Sequence, residues 1–283
     1  MGLGCVGVLP EDGLVNTAEV RFGRDELKAL QPAENVANIR EECIGFYREY
    51  LEGAKAKVRV PCEIEVGEGH PAEVILAAAE RLQPAMIALS THGRSGLSRA
   101  VIGSVADKVV RANTFPTLLV RRDEDDVPPA SYAIAKILVP LDGSELSESP
   151  LAAAGAVAAQ HNAEVTLLRV VAFATAQIYA PGYAGPIYAG GIEEIEESIQ
   201  KDAEAYLQDA MKRVQGATAV RAFVLRGSPF QAISDFAKEQ KVSLIVMSTH
   251  GRSGLRRFAL GSVTDSVVRE AGVPVLIIPA KHE

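Results

Sequence analysis

The sequence predicts an α/β protein of two tandem doubly wound (Rossmann-like) domains, each a parallel sheet with helices on both faces. Three observations carry that expectation. Residues 90–111 (STHGRSGLSRAVIGSVADKVVR) recur as residues 248–269 (STHGRSGLRRFALGSVTDSVVR), an offset of 158 positions that also relates Pro116 to Pro274 and needs no gap. Apolar, β-branched runs alternate with helical patterns along most of the chain, the order that yields parallel strands joined by right-handed crossovers. Each copy of the duplicated segment also passes from an apolar run (residues 86–89 and 244–247) through a glycine loop into a helical pattern: Val105, Val109 and Val110 in one, Val263, Val267 and Val268 in the other.

The second half is the more complete repeat. Residues 135–144 (AKILVPLDGS) read as a first strand and its exit loop, and residues 145–161 as an Ala-rich helix with Ser144 as N-cap. Residues 163–171 form the next strand. After a Gly, Ala, Tyr and Pro-rich stretch at 172–191 comes a long amphipathic helix from about Ile192 to Val214. A strand at 218–225 precedes a helix at 228–240, with Ser228 as cap and Pro229 in its first turn. The strand at 242–248, the glycine loop, a helix after Ser262 and a strand at 273–278 complete the repeat.

The same offset organises the first half. Residues 38–54 match the long helix, 58–66 the third strand, 70–82 the helix after it, and 86–90 and 116–120 the fourth and fifth strands. Upstream, LGCVGVLP (3–10) fits the second strand. No counterpart of ILVPLDGS is evident in residues 1–37, so this repeat is expected to lack its first strand, first helix and aspartate loop. The acids and the Pro pair of residues 121–133 read as a linker. The expected domains are therefore 1–122 and 134–283, joined by 123–133.

Composition narrows the function classes. At 283 residues, with 48% hydrophobic and 23% charged, the chain has material for two ordinary domains. A net charge of −7 without a basic patch interleaved with aromatics argues against a nucleic-acid surface. No run approaches the ~20 apolar residues of a membrane span. Three cysteines, Cys5, Cys43 and Cys62, form no CxxC pair and are odd in number, which fits a reducing compartment, so a cytoplasmic location is expected.

The glycine loops suit phosphate. Glycine lets the backbone approach an anion, and free amides at a helix N-terminus attract it. Ser104 and Ser262, each after a glycine, can cap the helix or offer a hydroxyl to a phosphate oxygen. Arg94 and Arg252 carry a fork that matches phosphate oxygens, with a solvated arginine as the equally open alternative. His92 and His250 have no acidic neighbour in sequence and are read as bonding locally, so no catalytic residue is assigned. There is no Gly-x4-Gly-Lys-Ser/Thr loop and no His or Cys cluster at metal-ligand spacing, so neither a fast ATPase nor a protein-held metal is expected.

These residues resemble the universal stress protein family, whose ATP-binding members carry Gly-x2-Gly-x9-Gly-Ser/Thr after the fourth strand. Here the pattern reads Ser90-x2-Gly93-x9-Gly103-Ser104 and Ser248-x2-Gly251-x9-Gly261-Ser262, with serine for the first glycine in both halves. The resemblance spans nearly all of residues 134–283 and, less completely, 1–122. It implies a strand order of 3-2-1-4-5, which sets the loops after strands one and four side by side. It assigns Asp142 and the backbone near Val170 to adenine and ribose, and Gly251, Gly261, Ser262 and Val263 to ribose and phosphates. With the flanking Pro140, Leu141, Met247, Ser248, His250, Arg252 and Gly254, these form the candidate adenine-nucleotide site. Ser90, Gly93, Arg94, Gly103, Ser104 and Val105 form a degenerate second one. For Asp142 the alternative is a turn residue bonding its own backbone. ATP is the implied ligand, and any Mg²⁺ would arrive with the triphosphate.

The resemblance also implies assembly. In family homodimers the fifth strands pair antiparallel, and a tandem chain can make that pairing within itself, residues 117–121 against 275–279, as an internal pseudo-dimer. A further homodimer stays open. Three function classes stay open: a nucleotide-binding stress or signalling module, at most a slow hydrolase or self-phosphorylating one; a scaffold of the same family that binds no nucleotide and works through dimerisation and protein contacts; and an enzyme of a related α/β nucleotide-binding group, for which the sequence offers no catalytic constellation.

Overall fold

The computed structural model describes residues 3–9, 33–57, 60–91, 102–121, 132–171, 189–251 and 260–280. The chain divides into two compact units, Met1–Pro84 and Ala85–Glu283.

In the first unit, β1 (Leu3–Leu9) runs parallel to β2 (Cys62–Glu68), from Leu3 opposite Cys62 to Leu9 opposite Glu68. The helices α1 (Ala33–Lys55) and α2 (Pro71–Leu82) pack on this pair. Pro71 opens α2 where a missing N–H costs nothing, and Ala72, Ala78 and Ala79 give it a small buried face.

The second unit is a seven-stranded sheet. Its strands are β3 (Ile87–Ser90), β4 (Thr117–Val120), β5 (Lys136–Leu141), β6 (Glu164–Val171), β7 (Ala219–Arg226), β8 (Leu244–Ser248) and β9 (Val275–Ile278). They lie in the order β3-β4-β9-β8-β5-β6-β7, every neighbouring pair parallel except β4 with β9. The five strands of the second half thus run β7-β6-β5-β8-β9, which is 3-2-1-4-5 in the repeat's own count.

Both faces of the central strands β5, β6, β8 and β9 are covered, so these strands are largely buried on both sides and read as continuous apolar runs. Alternation decides which side chain goes where. Leu138, Leu168, Ile245, Met247, Val275 and Ile277 face α7 (Pro229–Glu239) and α8 (Ser262–Glu270). Ile137, Val139, Val165, Leu167, Val246 and Leu276 face α5 (Pro150–His161) and α6 (Ala189–Met211).

Among the described residues, β1 and β2 make a two-stranded sheet, while β3 and β4 join the sheet that holds the second half's strands, and no first-half counterpart of β5 is described. Within that sheet β4 has β3 on one side and β9 on the other. The expected helix at 145–161 is two helices, α4 (Glu145–Glu148) and α5, because Pro150 has no N–H to give and its ring crowds the preceding turn. Ser228 stands at the N-cap of α7 without a side-chain cap bond. The caps of α3 (Ser104–Ala112) and α8 are Gly103 and Gly261, so Ser104 and Ser262 are first helical residues instead.

The β4–β9 junction joins the two halves. Thr117, Leu118 and Leu119 stand opposite Ile277, Leu276 and Val275. Beside them α3 and α8 exchange charge: Arg111 holds Asp107 at 2.9 Å and lies 3.5 Å from Asp265, which Arg269 holds at 2.8 Å. Those carboxylates push the Arg111 guanidinium above its ordinary value, Asp107 first, and Asp265 does the same for Arg269. Part-exposed pairs of this kind contribute about 0–1 kcal/mol each. Buried apolar side chains contribute about 1.5–3 kcal/mol each, so the junction rests chiefly on Val110, Leu119, Val267, Val275 and Ile277, all in one cluster.

With Cys5, Cys43 and Cys62 replaced by serine, the pair Leu118→Cys and Leu276→Cys is expected to form a disulfide within one chain. A non-reducing gel reads this as a faster monomer band, and a ladder of linked chains would contradict the internal pairing.

Candidate functional site

Two loops meet at the carboxyl ends of β5 and β8, where the winding of the sheet reverses and ligands of such folds sit. In the loop after β5, Asp142 Oδ1 accepts from the Ser144 amide (2.9 Å) and hydroxyl (2.6 Å). Ser144 Oγ in turn accepts from the Ser147 amide at 3.2 Å, capping α4 as its sequence position predicts. Asp142 is thus a turn residue, but only with one oxygen. The other, Oδ2, faces Gly251, where a Cβ would stand 2.1 Å away. The two loops touch through this glycine.

The described ends of the loop after β8, residues 249–251 and 260–261, are fastened to each other and to the strand. Ser248, buried at the strand end, donates its hydroxyl to the His250 carbonyl and accepts at its own carbonyl from Thr264 Oγ1 at 3.0 Å. The serine that stands in place of the family's first glycine therefore closes the turn with its side chain. The Thr249 amide donates to Ile278 O (3.1 Å), its carbonyl accepts from Gly261 N (2.8 Å), and its hydroxyl accepts from Ala280 N (3.1 Å) and lies 3.0 Å from His250 Nδ1. His250 is engaged locally, as expected. Gly261 has an ordinary φ of −58°, and a Cβ there would meet nothing nearer than 3.4 Å.

Between the loops lies a cavity of about 580 Å³, within the range of small-molecule sites. Pro140, Leu141, Asp142, Val170, Met247, Ser248, His250, Gly251, Gly261, Ser262 and Val263 all line it. Arg252 and Gly254 lie outside the described residues. Its wall also holds residues that sequence reasoning missed: Ser147, Leu168, Arg169, Val171, Ile199, Asp202, Pro229, Ile233 and Thr264. Thr264 was within reach of a motif reading, two positions after Ser262, whereas Arg169 sits in a strand pattern and Ile199 and Asp202 in a helix with no motif spacing.

Behind the Asp142 turn, Arg169 Cζ lies 4.8 Å from the Tyr206 ring centre. Burial first, and then the neighbouring Glu148, push the Tyr206 hydroxyl up to about 12. Its oxygen is enclosed, close to Glu148 and Ser147 but without a well-aligned hydrogen bond. Arg213, hydrogen-bonded to Glu148, holds that carboxyl below its ordinary value.

In the first half, the Gly103 amide donates to Thr91 O at 2.7 Å, and Gly103 has the same φ and ψ as Gly261, −58° and 144°. Ser90 ends β3, and Ser104 and Val105 open α3. Gly93 and Arg94 lie outside the described residues. Among the described residues this half brings no carboxylate like Asp142 to its cradle.

Two outcomes follow from this geometry. Gly251→Ala is expected to evict Asp142 from its seat and cost about 1–3 kcal/mol in urea unfolding, most of it absent in an Asp142→Ala background, whereas Gly261→Ala stays within about 0.5 kcal/mol. The fold favours the neutral Tyr206 phenol, so its contribution is complete below pH 10 and declines as pH rises from there toward about 12. Tyr206→Phe should remove that component of the alkaline loss of stability, seen as a shallower fall than the parent over the same range.

Comparison with known proteins gives the lineage. The universal stress protein family model matches residues 11–121 and again 133–279. A universal stress protein of Mycobacterium tuberculosis is 27% identical over 255 residues, covering 89% of this chain and 77% of the relative. The universal stress protein YxiE of Bacillus subtilis is 34% identical over 146 residues, covering 50% of this chain and 97% of that protein. A universal stress protein structure from Archaeoglobus fulgidus matches with a TM-score of 0.60 at 19% identity, covering 99% of this chain and 86% of the other, which shows a shared fold. With two matched segments that together take in most of its length, the chain belongs to the universal stress protein family as a tandem member.

Proposed function

We propose that the cavity of the second repeat binds one adenine nucleotide, and that the protein is a stress-response or signalling module rather than a fast catalyst. The observation that carries this reading is the convergence of Asp142, from the loop after β5, with Gly251 and the Gly261–Ser262 helix start on one cavity of about 580 Å³. The chemistry divides along the cavity. Amides at the start of α8, with the Ser262 hydroxyl, suit phosphates, while Leu168, Val170, Ile233 and Met247 give apolar walls for a base. Asp142 adds an acceptor for an amino or hydroxyl group. These residues fit ATP, with Mg²⁺ carried in on the phosphates.

In this reading residues 1–122 and 134–283 are the two evolutionary domains, 123–133 links them, and the β4–β9 junction makes the chain an internal pseudo-dimer. The first-half cradle, with Ser90, Gly103, Ser104 and Val105, is its degenerate counterpart. Cysteines without a disulfide framework favour the cytoplasm. A second reading, a scaffold acting through assembly without nucleotide, is favoured by the same junction.

Calorimetric titration with ATP and Mg²⁺ is expected to give a stoichiometry near one per chain, lost in Asp142→Ala. Heat denaturation of freshly purified protein should release adenine nucleotide at up to the same ratio. No heat of binding and no released nucleotide would favour the scaffold, and two equal sites would refute the asymmetry between the halves.

A further inference from the structure

We propose that Arg169 is a positioning residue of the site, holding the Asp142 turn in the cavity wall and tying that turn to α6. The proposal rests on the nucleotide reading only for its functional consequence.

Register puts Arg169 there. In the β5–β6 ladder it stands opposite Leu141, the residue before Asp142. Its side chain then crosses the turn: a Cβ placed on Gly143 would lie 2.9, 3.0 and 3.1 Å from Nη2, Cζ and Nη1. Three nearly equal distances mean that the guanidinium presents its flat face to Gly143. A side chain at position 143 is therefore opposed by φ of +86°, and it would also have to displace the guanidinium.

The same guanidinium lies over the Tyr206 ring. Tyr206 shares a helical face with Ile199 and Asp202, three and four residues apart in succession, and those two line the cavity. The plane of Arg169 thus connects the turn that carries Asp142 with the helix face that walls the same cavity. A lysine could keep the charge but not the flat contact.

The test reads the turn directly. Hydrogen exchange of the ligand-free full chain is followed over residues 141–147, where the Ser144 and Ser147 amides are bonded within the turn. Arg169→Leu and Tyr206→Leu should each speed exchange about tenfold, and Tyr206→Phe, which keeps the ring, should leave it at the parent rate. If Arg169→Leu does not fold, Arg169→Lys gives the same readout. Unchanged exchange in the Arg169 variant overturns the proposal.

ATP titration supplies the second arm. Arg169→Leu should weaken binding about tenfold in the parent and add nothing once Asp142 is Asn. Equal weakening in both backgrounds overturns the positioning role, because Arg169 would then act on nucleotide by itself. A parent protein that binds no ATP sinks the nucleotide reading alone, and the exchange result still decides whether Arg169 holds the turn.

Discussion

The approach of Gly251 to Asp142 is the constraint on which the site depends. Oδ1 of that carboxylate is committed to Ser144, so the side chain cannot swing aside without giving up two hydrogen bonds, and Oδ2 stands where a Cβ on residue 251 would have to go. Two loops from strands far apart in sequence are thereby fixed against each other before any ligand arrives. Hydrogen bonds to an ionised acceptor contribute about 1.5–3 kcal/mol, enough to hold a short loop but not to hold it against a misplaced methyl group.

The described ends of the loop after β8, residues 249–251 and 260–261, are held in a similar way. Ser248, Thr249 and Thr264 tie them to His250, Ile278, Gly261 and Ala280, so the start of α8 is set by bonds reaching back to β8 and to the chain after β9. An anion at that helix start would meet donors already oriented, which lowers the ordering cost that otherwise subtracts from affinity. The fastening uses the Ser248 side chain where the family pattern has a bare glycine.

Much of this was legible in residue order. The unbroken offset between the halves located the strand–loop–helix segments, and two-sided burial explains why Ile137–Val139 and Leu244–Met247 read as solid apolar runs. Asp142 could be placed opposite the glycine loop only through a family resemblance, since nothing in its local sequence separates a turn aspartate from a ligand-facing one, and it is here a turn residue on one oxygen. Arg169 was invisible because a strand's alternation reports a side chain's face and not what it reaches across. Asp202 and Ile199 were invisible because helix residues brought to a cavity by packing leave no spacing signal. The meeting of β4 and β9 likewise has no local signal: the resemblance set residues 117–121 against 275–279, and residues of those two strands stand opposite each other in the sheet.

That pairing separates this arrangement from an association of two molecules. Strands β4 and β9 belong to one polypeptide, so their pairing does not weaken on dilution, and its strength carries no dependence on protein concentration. It also removes the symmetry that two identical copies would impose. A substitution in one half of this chain falls on one side of the junction alone, leaving each half open to a different course of change: Asp142 can be kept on one side without a matching residue being required on the other.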